Sequence, residues 1–235
     1  MAVQQINSTQ TRVQAGALGI QAALQARTAW MPSQDDEPLR SVGMVVRIAE
    51  GREIFAEGDE TDVFYKVISG VVRVCKFLSD GRRQIEAFHV EGDIFGFELG
   101  DERLLSAEAV SDCTLVSYRR RSVESLAEKD EGVSRHLFQY AMQNLARAQG
   151  HSLLLGRRGA AEKVASFLLT WAEHSRDKQV AHLAMTRQDI ADYLGLTIET
   201  VSRSLSQFER DGMIALTNIR EVRLKNVEAL EDLAA

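Results

Sequence analysis

The stretch Thr186–Gly212 reads TRQDIADYLGLTIETVSRSLSQFERDG and predicts two short helices joined at one glycine. Thr186 stands three residues before Asp189, which is the spacing of a capping box, so we expect the first helix to begin there. Gly195 is expected to end this helix because glycine adopts left-handed backbone conformations easily. Thr197 can then cap a second helix. The pattern is typical of a helix-turn-helix unit.

Both predicted helices have one apolar face, formed by Ile190, Ala191 and Leu194 in the first and by Val201, Leu205 and Phe208 in the second. The second helix carries Glu199, Ser202 and Arg203 near the start of its opposite face. In helix-turn-helix proteins this part of the helix enters the major groove, where Arg pairs with guanine and Glu accepts a hydrogen bond from cytosine. The alternative is a solvated Glu199–Arg203 ion pair, which is worth a few tenths of a kcal/mol.

The residues after Gly212 favour DNA recognition over the isolated ion pair. Met213–Leu216 and Glu221–Leu224 resemble two strands joined around Asn218–Arg220. Such a pair forms the wing of a winged helix-turn-helix. We therefore expect double-stranded DNA as the partner.

Composition limits the remaining choices. The chain has 235 residues, of which 45% are hydrophobic, and a formal net charge of -6. This length predicts two domains, and the negative charge indicates that any DNA contact is local. The two cysteines are too few for a disulfide framework, which fits a reducing cytoplasm. The sequence contains neither a signal-peptide pattern nor an apolar run long enough for a membrane span.

The region from Ser41 to Arg121 has short apolar runs separated by glycines and acidic residues. Its β-branched and aromatic content favours short antiparallel strands, arranged as a sandwich or roll. Ser79-Asp80-Gly81 is expected to close one hairpin because Gly81 can take a positive φ. The chain as a whole is therefore predicted to have an α+β fold, with a jelly-roll-like β-roll at its N-terminal side.

A long helix is predicted from Val133 to Leu155. Its apolar positions Leu137, Ala141, Leu145 and Ala148 lie along one face, and the length of this stripe favours packing against a second copy of the chain. Another amphipathic helix, Ala160–Ser175, is expected to open the DNA-binding domain. The predicted division is an N-terminal extension (1–40), a β-roll (41–132), a dimerisation helix (133–156) and a winged helix-turn-helix domain (157–235).

Two segments carry a family resemblance: YKVISGVVRVCKFLSDGRRQIEAFHVEGDIFGFELG, residues 65–100, and MTRQDIADYLGLTIETVSRSLSQFERDG, residues 185–212. The chain resembles bacterial CRP/FNR transcription regulators, and these segments resemble its FixK branch. The resemblance covers nearly everything after about Arg40. It implies a cyclic-nucleotide-binding-like roll, a homodimer, TTGA-type palindromic half-sites and contact with RNA polymerase. The residues assigned to DNA binding are Arg187, Thr197, Ile198, Glu199, Thr200, Ser202 and Arg203.

Three effector chemistries occur in this family, and the sequence argues against each. A cyclic phosphate needs an arginine, yet Leu105 stands directly before Ser106-Ala107, and Arg103 lies two residues earlier. An iron–sulfur cluster needs cysteines in the N-terminal stretch, where residues 1–40 have none. Cys75 and Cys113 fit buried strand positions, and the five histidines show no metal-ligand spacing.

We therefore expect no cofactor and no metal, with control exerted through the amount of protein made, its modification or its degradation. The FixK resemblance implies an activator of genes for low-oxygen respiration, nitrogen fixation or denitrification. The wing turn departs from the family pattern because it lacks glycine. Two alternatives stay open at this point: a CRP-like regulator gated by a small molecule in the roll, and a cupin-like metal enzyme.

Overall fold

A computed structural model describes Leu39, residues 41–157 and residues 159–234. The predicted N-terminal extension therefore lies almost wholly outside the described residues. Two compact units are present. We call the first the roll unit, which comprises the described residues up to Asn144 together with Ala184–Gly195. The second is the helical unit, which comprises the described residues of Leu145–Leu183 and Leu196–Ala235.

The roll unit contains two four-stranded antiparallel sheets. The first has the order β1-β8-β3-β6 and the second β2-β7-β4-β5. The strands are β1 (Gly43–Ile48), β2 (Glu53–Phe55), β3 (Val63–Ser69), β4 (Val72–Phe77), β5 (Arg83–His89), β6 (Ile94–Phe95), β7 (Ser106–Ala109) and β8 (Cys113–Arg119). The expected antiparallel roll is confirmed, and Gly81 takes a φ of 83° in the β4–β5 hairpin.

The core of the roll draws side chains from both sheets. Its buried members are Phe55, Val67, Val72, Val74, Phe95, Ala107, Ala109, Cys113 and Leu115. A second cluster includes Phe64, Tyr118, Val123, Val133 and Tyr140. It packs helix α1 (Arg120–Ala127), which the sequence did not predict, and the start of helix α2 (Glu131–Leu155) on the roll.

The helical unit contains the end of α2, helix α3 (Ala160–Ala172), helix α5 (Ile198–Arg210) and helix α6 (Val227–Ala234). Strands β9 (Val180–His182), β10 (Ile214–Asn218) and β11 (Glu221–Leu224) form a sheet in the order β10-β11-β9. The predicted inward residues of α3, namely Val164, Phe167, Leu168 and Trp171, are all buried. The indole Nε1 of Trp171 donates to the carbonyl oxygen of His182, 2.6 Å away, and so ties α3 to β9.

Helix α4 (Arg187–Leu194) lies within the roll unit, although its sequence falls inside the predicted DNA-binding range. No helix among the described residues is both long and apolar enough to cross a membrane.

Candidate nucleic-acid interface

The start of α4 has the predicted capping box. The hydroxyl of Thr186 accepts from the backbone N–H of Asp189 at 3.1 Å, and the Asp189 carboxylate accepts from the backbone N–H of Thr186 at 2.9 Å. These bonds satisfy two backbone donors at the helix end. Gly195 ends the helix in the left-handed conformation, with a φ of 63°. The turn therefore follows directly from these three residues.

Helix α5 is capped and oriented as the sequence indicates. The hydroxyl of Thr197 accepts from the backbone N–H of Thr200 at 3.3 Å. Val201, Leu205 and Phe208 are buried. Burial of this face turns the opposite face outward.

The side chains assigned to DNA reading lie on that outward face. Thr197, Ile198, Glu199 and Arg203 are exposed, and Thr200 and Ser202 are half-buried. The backbone N–H groups of the first turn also point along the helix axis at this end, which favours anionic groups such as phosphates. The geometry is suited to a helix whose first two turns enter a groove.

Glu199 is held in its charged form. Its pKa lies below the ordinary carboxyl value, first because its own backbone N–H donates to the carboxylate and second because the Thr197 hydroxyl does so. The charge of Arg203 lowers the pKa further, as a smaller cause. An ionised carboxylate is a pure hydrogen-bond acceptor, which is what the amino group of cytosine requires.

The turn of the wing lacks glycine, and the side chain of an asparagine stabilises it instead. The side-chain oxygen of Asn218 accepts from the backbone N–H of Arg220 at 2.8 Å, and among the described residues every positive φ belongs to a glycine. Ile219 projects from the tip of the turn and is 84% exposed. Strand β9, which the sequence did not predict, pairs with β11 and so makes the wing sheet three-stranded.

Arg187 occupies the first turn of α4 and is half-buried. It already takes part in an interaction within the chain. Its assignment to a DNA phosphate remains a prediction.

The residues of the predicted dimer stripe on α2 differ in burial. Leu137 packs on the cluster that holds α2 to the roll, beside Val133 and Tyr140. Ala141, Leu145 and Ala148 are exposed. Phe138 is also exposed, at 66%, and it stands seven residues before Leu145.

Phe138 and the exposed Met142 were not among the residues singled out from the sequence. The seven-residue spacing of Phe138 and Leu145, repeated by Ala141 and Ala148, is the signal that finds this face. The outward stripe of α2 therefore consists of Phe138, Ala141, Met142, Leu145 and Ala148.

Arg103, the arginine closest to Ser106-Ala107 in the preceding segment, is buried inside the roll unit. The guanidinium of Arg103 donates to the carbonyl oxygens of Gly96 and Val63. It also lies 3.5 Å from the carboxylate of Glu98 and over the ring of Phe55. The Arg103 side chain is only 1% exposed. Its charge is thus used inside the fold.

Leu105, at the position directly before Ser106-Ala107, packs against the core of the roll. Gly96 has a φ of +74°, and a Cβ there would approach Arg103 to 2.9 Å. Gly96 thus leaves space for Arg103, and Glu98 forms an ion pair with it. Glu98 also accepts from the backbone N–H of Leu104 at 2.9 Å.

Both cysteines are buried and free. Burial raises the pKa of the Cys75 thiol to about 11, with the charge of Glu108 as the next cause. Burial also raises the pKa of Cys113, whose thiol donates towards the carbonyl oxygens of Val71 and Ser111. Thiols in this state are poor nucleophiles and poor metal ligands. In the described part of the chain, no three His, Cys, Asp or Glu side chains are grouped to bind a metal ion.

Comparison with known proteins agrees with this architecture. Residues 45–130 match the cyclic nucleotide-binding domain family, and residues 162–233 match the Crp-like helix-turn-helix domain family. Nitrogen fixation regulation protein FixK of Azorhizobium caulinodans is 46% identical over 198 residues, which span 82% of this chain and 80% of that protein. FixK of Rhizobium meliloti is 42% identical over 83% of this chain and 90% of that protein.

Among solved structures, FixK2 from Bradyrhizobium japonicum superposes with a TM-score of 0.79 at 42% identity, covering 83% of this chain and 98% of that one. A CRP-family regulator from Thermus thermophilus gives a TM-score of 0.67 at 30% identity, covering 80% and 96%. These relatives are transcription regulators, which removes the metal-enzyme alternative. The chain belongs to the CRP/FNR family of transcription regulators, in which it is a FixK-like DNA-binding member.

Proposed function

We propose that this regulator binds a TTGA-type palindrome as a homodimer and does so without a small-molecule effector. The observation that carries the proposal is the outward face at the start of α5, where Glu199, Ser202 and Arg203 follow a capped helix terminus. Each subunit would place this face in one major groove, with Arg203 on a guanine and Glu199 on a cytosine. Ile198 would contact a thymine methyl group.

The other assigned residues would position the helix. Arg187, Thr197 and Thr200 lie near the starts of α4 and α5, where side chains and backbone N–H groups commonly contact phosphates. Such contacts carry no sequence information but set the register of the protein on the duplex. The outward stripe of α2 would form the seam with a second copy, and residues 133–156 would act as the dimerisation helix between the roll (41–132) and the DNA-binding range (157–235).

Independence from an effector is supported by Arg103. A cyclic nucleotide would need a cation for its phosphate, because burying an unpaired anion is costly. The buried arginine of this segment is already engaged with Gly96, Val63 and Glu98. Control would then lie in the amount of dimer present.

The FixK relatives suggest the physiological role. We infer that the protein is an activator which contacts RNA polymerase at genes for low-oxygen respiration, nitrogen fixation or denitrification. A regulator of chromosomal genes in a bacterium would act in the cytoplasm.

The test is a fluorescence-anisotropy titration of a labelled TTGA palindrome with protein purified in air, with and without cyclic AMP. We expect binding with a twofold protein-to-DNA stoichiometry and no change on adding the nucleotide. A scrambled duplex of the same composition is the control, and equal affinity for both duplexes would contradict sequence-specific recognition. A strict need for cyclic AMP would favour the effector-gated alternative.

A further inference from the structure

The first turn of α5 brings three polar side chains together. Thr197 is the N-cap, Glu199 is the second helical residue and Thr200 the third, and all three belong to the helical unit. The hydroxyl oxygen of Thr197 lies 3.1 Å from that of Thr200, and it accepts from the backbone N–H of Thr200 at 3.3 Å. The Thr197 hydroxyl also donates to the Glu199 carboxylate. We call these three residues the first-turn triad.

The protons and lone pairs of the two hydroxyls decide the direction of these bonds. A threonine hydroxyl has one proton to donate and two lone pairs with which to accept, whereas an ionised carboxylate can only accept. The single proton of Thr197 is used on Glu199, so the bond between the two hydroxyls requires Thr200 as its donor. A chain of hydrogen bonds therefore runs from Thr200 through Thr197 to Glu199.

The triad, rather than Arg203, holds the Glu199 carboxylate. The bonds from its own backbone N–H and from Thr197 lower its pKa more than the charge of Arg203 does. Within the described residues, no ion pair joins Glu199 to Arg203. An exposed glutamate side chain otherwise has several rotamers of similar energy. The hydrogen bonds of the triad thus restrict the carboxylate to the start of the helix.

We propose that Thr200 is a positioning residue for base reading: its hydroxyl orients the Thr197 hydroxyl, which holds the Glu199 carboxylate ready to accept from a cytosine amino group. The inference rests on the proposed DNA binding. A carboxylate that is already ordered in the free protein loses less side-chain entropy on binding. Bonds in such a chain also polarise one another, so losing the first donor weakens the bond to Glu199. Specificity at one base pair then depends on a hydroxyl that does not touch the base.

The experiment removes the Thr200 hydroxyl from the full-length protein. Thr200→Val keeps the shape of the side chain, Thr200→Ala is a second variant without the hydroxyl, and Thr200→Ser keeps the donor. Thr197 is left intact because its replacement would also remove the helix cap. Thr170→Val is the matched control, since Thr170 is a half-buried threonine on α3. Affinity is measured for the palindrome, for a scrambled duplex, and for a palindrome changed at the base pair whose preference Glu199→Ala relaxes.

We expect Thr200→Val and Thr200→Ala to lower discrimination at that base pair on the order of fivefold and to leave affinity for the scrambled duplex unchanged. Thr200→Ser and Thr170→Val should match the wild type. Thr200→Val should have no further effect in a Glu199→Ala protein, because the chain then lacks its final acceptor. Wild-type discrimination in both variants without the hydroxyl would overturn the positioning role. So would equal losses on the palindrome and the scrambled duplex, which indicate a direct phosphate contact by Thr200.

A measurement without DNA separates this inference from the proposed function. The carboxyl carbon of Glu199 is titrated by NMR in the free protein, with Glu199→Gln identifying its signal. We expect the pKa of Glu199 to rise towards the ordinary carboxyl value in Thr200→Val but not in Thr200→Ser, because a weaker hydrogen bond stabilises the carboxylate less. An unchanged pKa in Thr200→Val would overturn the hydrogen-bond chain. Failure of the wild type to bind the palindrome would instead refute the proposed function, and the titration would still decide whether the chain exists.

Discussion

The guanidinium of Arg103 lies 4.1 Å from the centroid of the Phe55 ring. Both side chains are buried in the roll, and Arg103 also donates to the carbonyl oxygens of Gly96 and Val63. Arg103 therefore braces three separate segments of the roll unit against one another.

The first prediction concerns the stability of this brace. Arg103→Met keeps much of the side-chain volume but leaves the two carbonyl oxygens without the arginine donor and Glu98 without its ion-pair partner. Hydrogen bonds to charged groups are worth about 1.5–3 kcal/mol each, so we expect the free energy of unfolding to fall by roughly 3 kcal/mol. Urea denaturation of the wild type and the variant measures this change in the free energy of unfolding. Arg82→Met at the exposed hairpin is the control, and equal losses in the two variants would contradict the role of Arg103.

The second prediction concerns the stripe on α2. Leu145→Glu would place a charge in each half of the proposed seam, where an unpaired buried charge costs about 3–5 kcal/mol. We expect a monomer in sedimentation velocity and a large loss of affinity for the palindrome. Gln139→Glu adds the same charge at an exposed position outside the stripe and should stay dimeric. A dimeric Leu145→Glu variant would remove the basis for this seam.

The third prediction separates base reading from a simple ion pair. Arg203→Ala should cost about 1–3 kcal/mol per half-site and relax the preference at one base pair. Glu199→Ala should reduce discrimination more than non-specific affinity, since a carboxylate repels phosphates. The measurement is an affinity series across single-base variants of the palindrome. If Arg203→Ala keeps the wild-type preferences, this face of α5 does not read bases.

The fourth prediction assigns a phosphate contact to Arg187. Its replacement by Ala should weaken binding to specific and scrambled duplexes alike. The slope of log K against log salt should become shallower by about one charge per subunit. Titrations at several salt concentrations check this, with Arg203→Ala as the sequence-dependent comparison. A loss confined to the palindrome would place Arg187 on bases instead.

The fifth prediction concerns Cys75 and pH. Its folded pKa of about 11 exceeds the ordinary value of 9.0, so the fold favours the neutral thiol. The resulting stabilisation is complete below pH 9 and is lost as the pH rises towards 11, because the unfolded thiol ionises first. The stability difference between the wild type and Cys75→Ala should therefore shrink over this interval in denaturation curves. A constant difference would show that the thiol does not titrate in this range.

Local features of the reading element were predictable because each depends on residues a few positions apart. The Thr186–Asp189 capping box, the left-handed Gly195 and the Thr197 cap all appear in the structure. Strand β9 was not predictable in this way. Its three residues show too little alternation to indicate a strand, and it exists because Val180–His182 pairs with Glu221–Arg223, about forty residues later.

The packing of α2 shows a similar limit. Periodicity in the sequence identifies apolar positions on a helix, but it does not say which neighbour each position meets. The roll covers Leu137 and leaves Phe138 outward, although the two residues are adjacent. Packing on the roll therefore determined which apolar residues remain for another surface.

The sequence by itself determined the α+β architecture and the caps and turn of the helix-turn-helix unit, because these depend on short-range backbone preferences and hydrophobic periodicity. It indicated the family through the resemblance of residues 65–100 and 185–212 to known regulators. Only the tertiary structure decided where the long charged side chains point. Arg103 meets Val63, 40 positions away, and Arg83 meets Asp189, 106 positions away. A flexible arginine has many rotamers and no local signal for its partner. Its direction is therefore set by which buried carbonyl and carboxylate oxygens the completed fold brings within hydrogen-bonding distance.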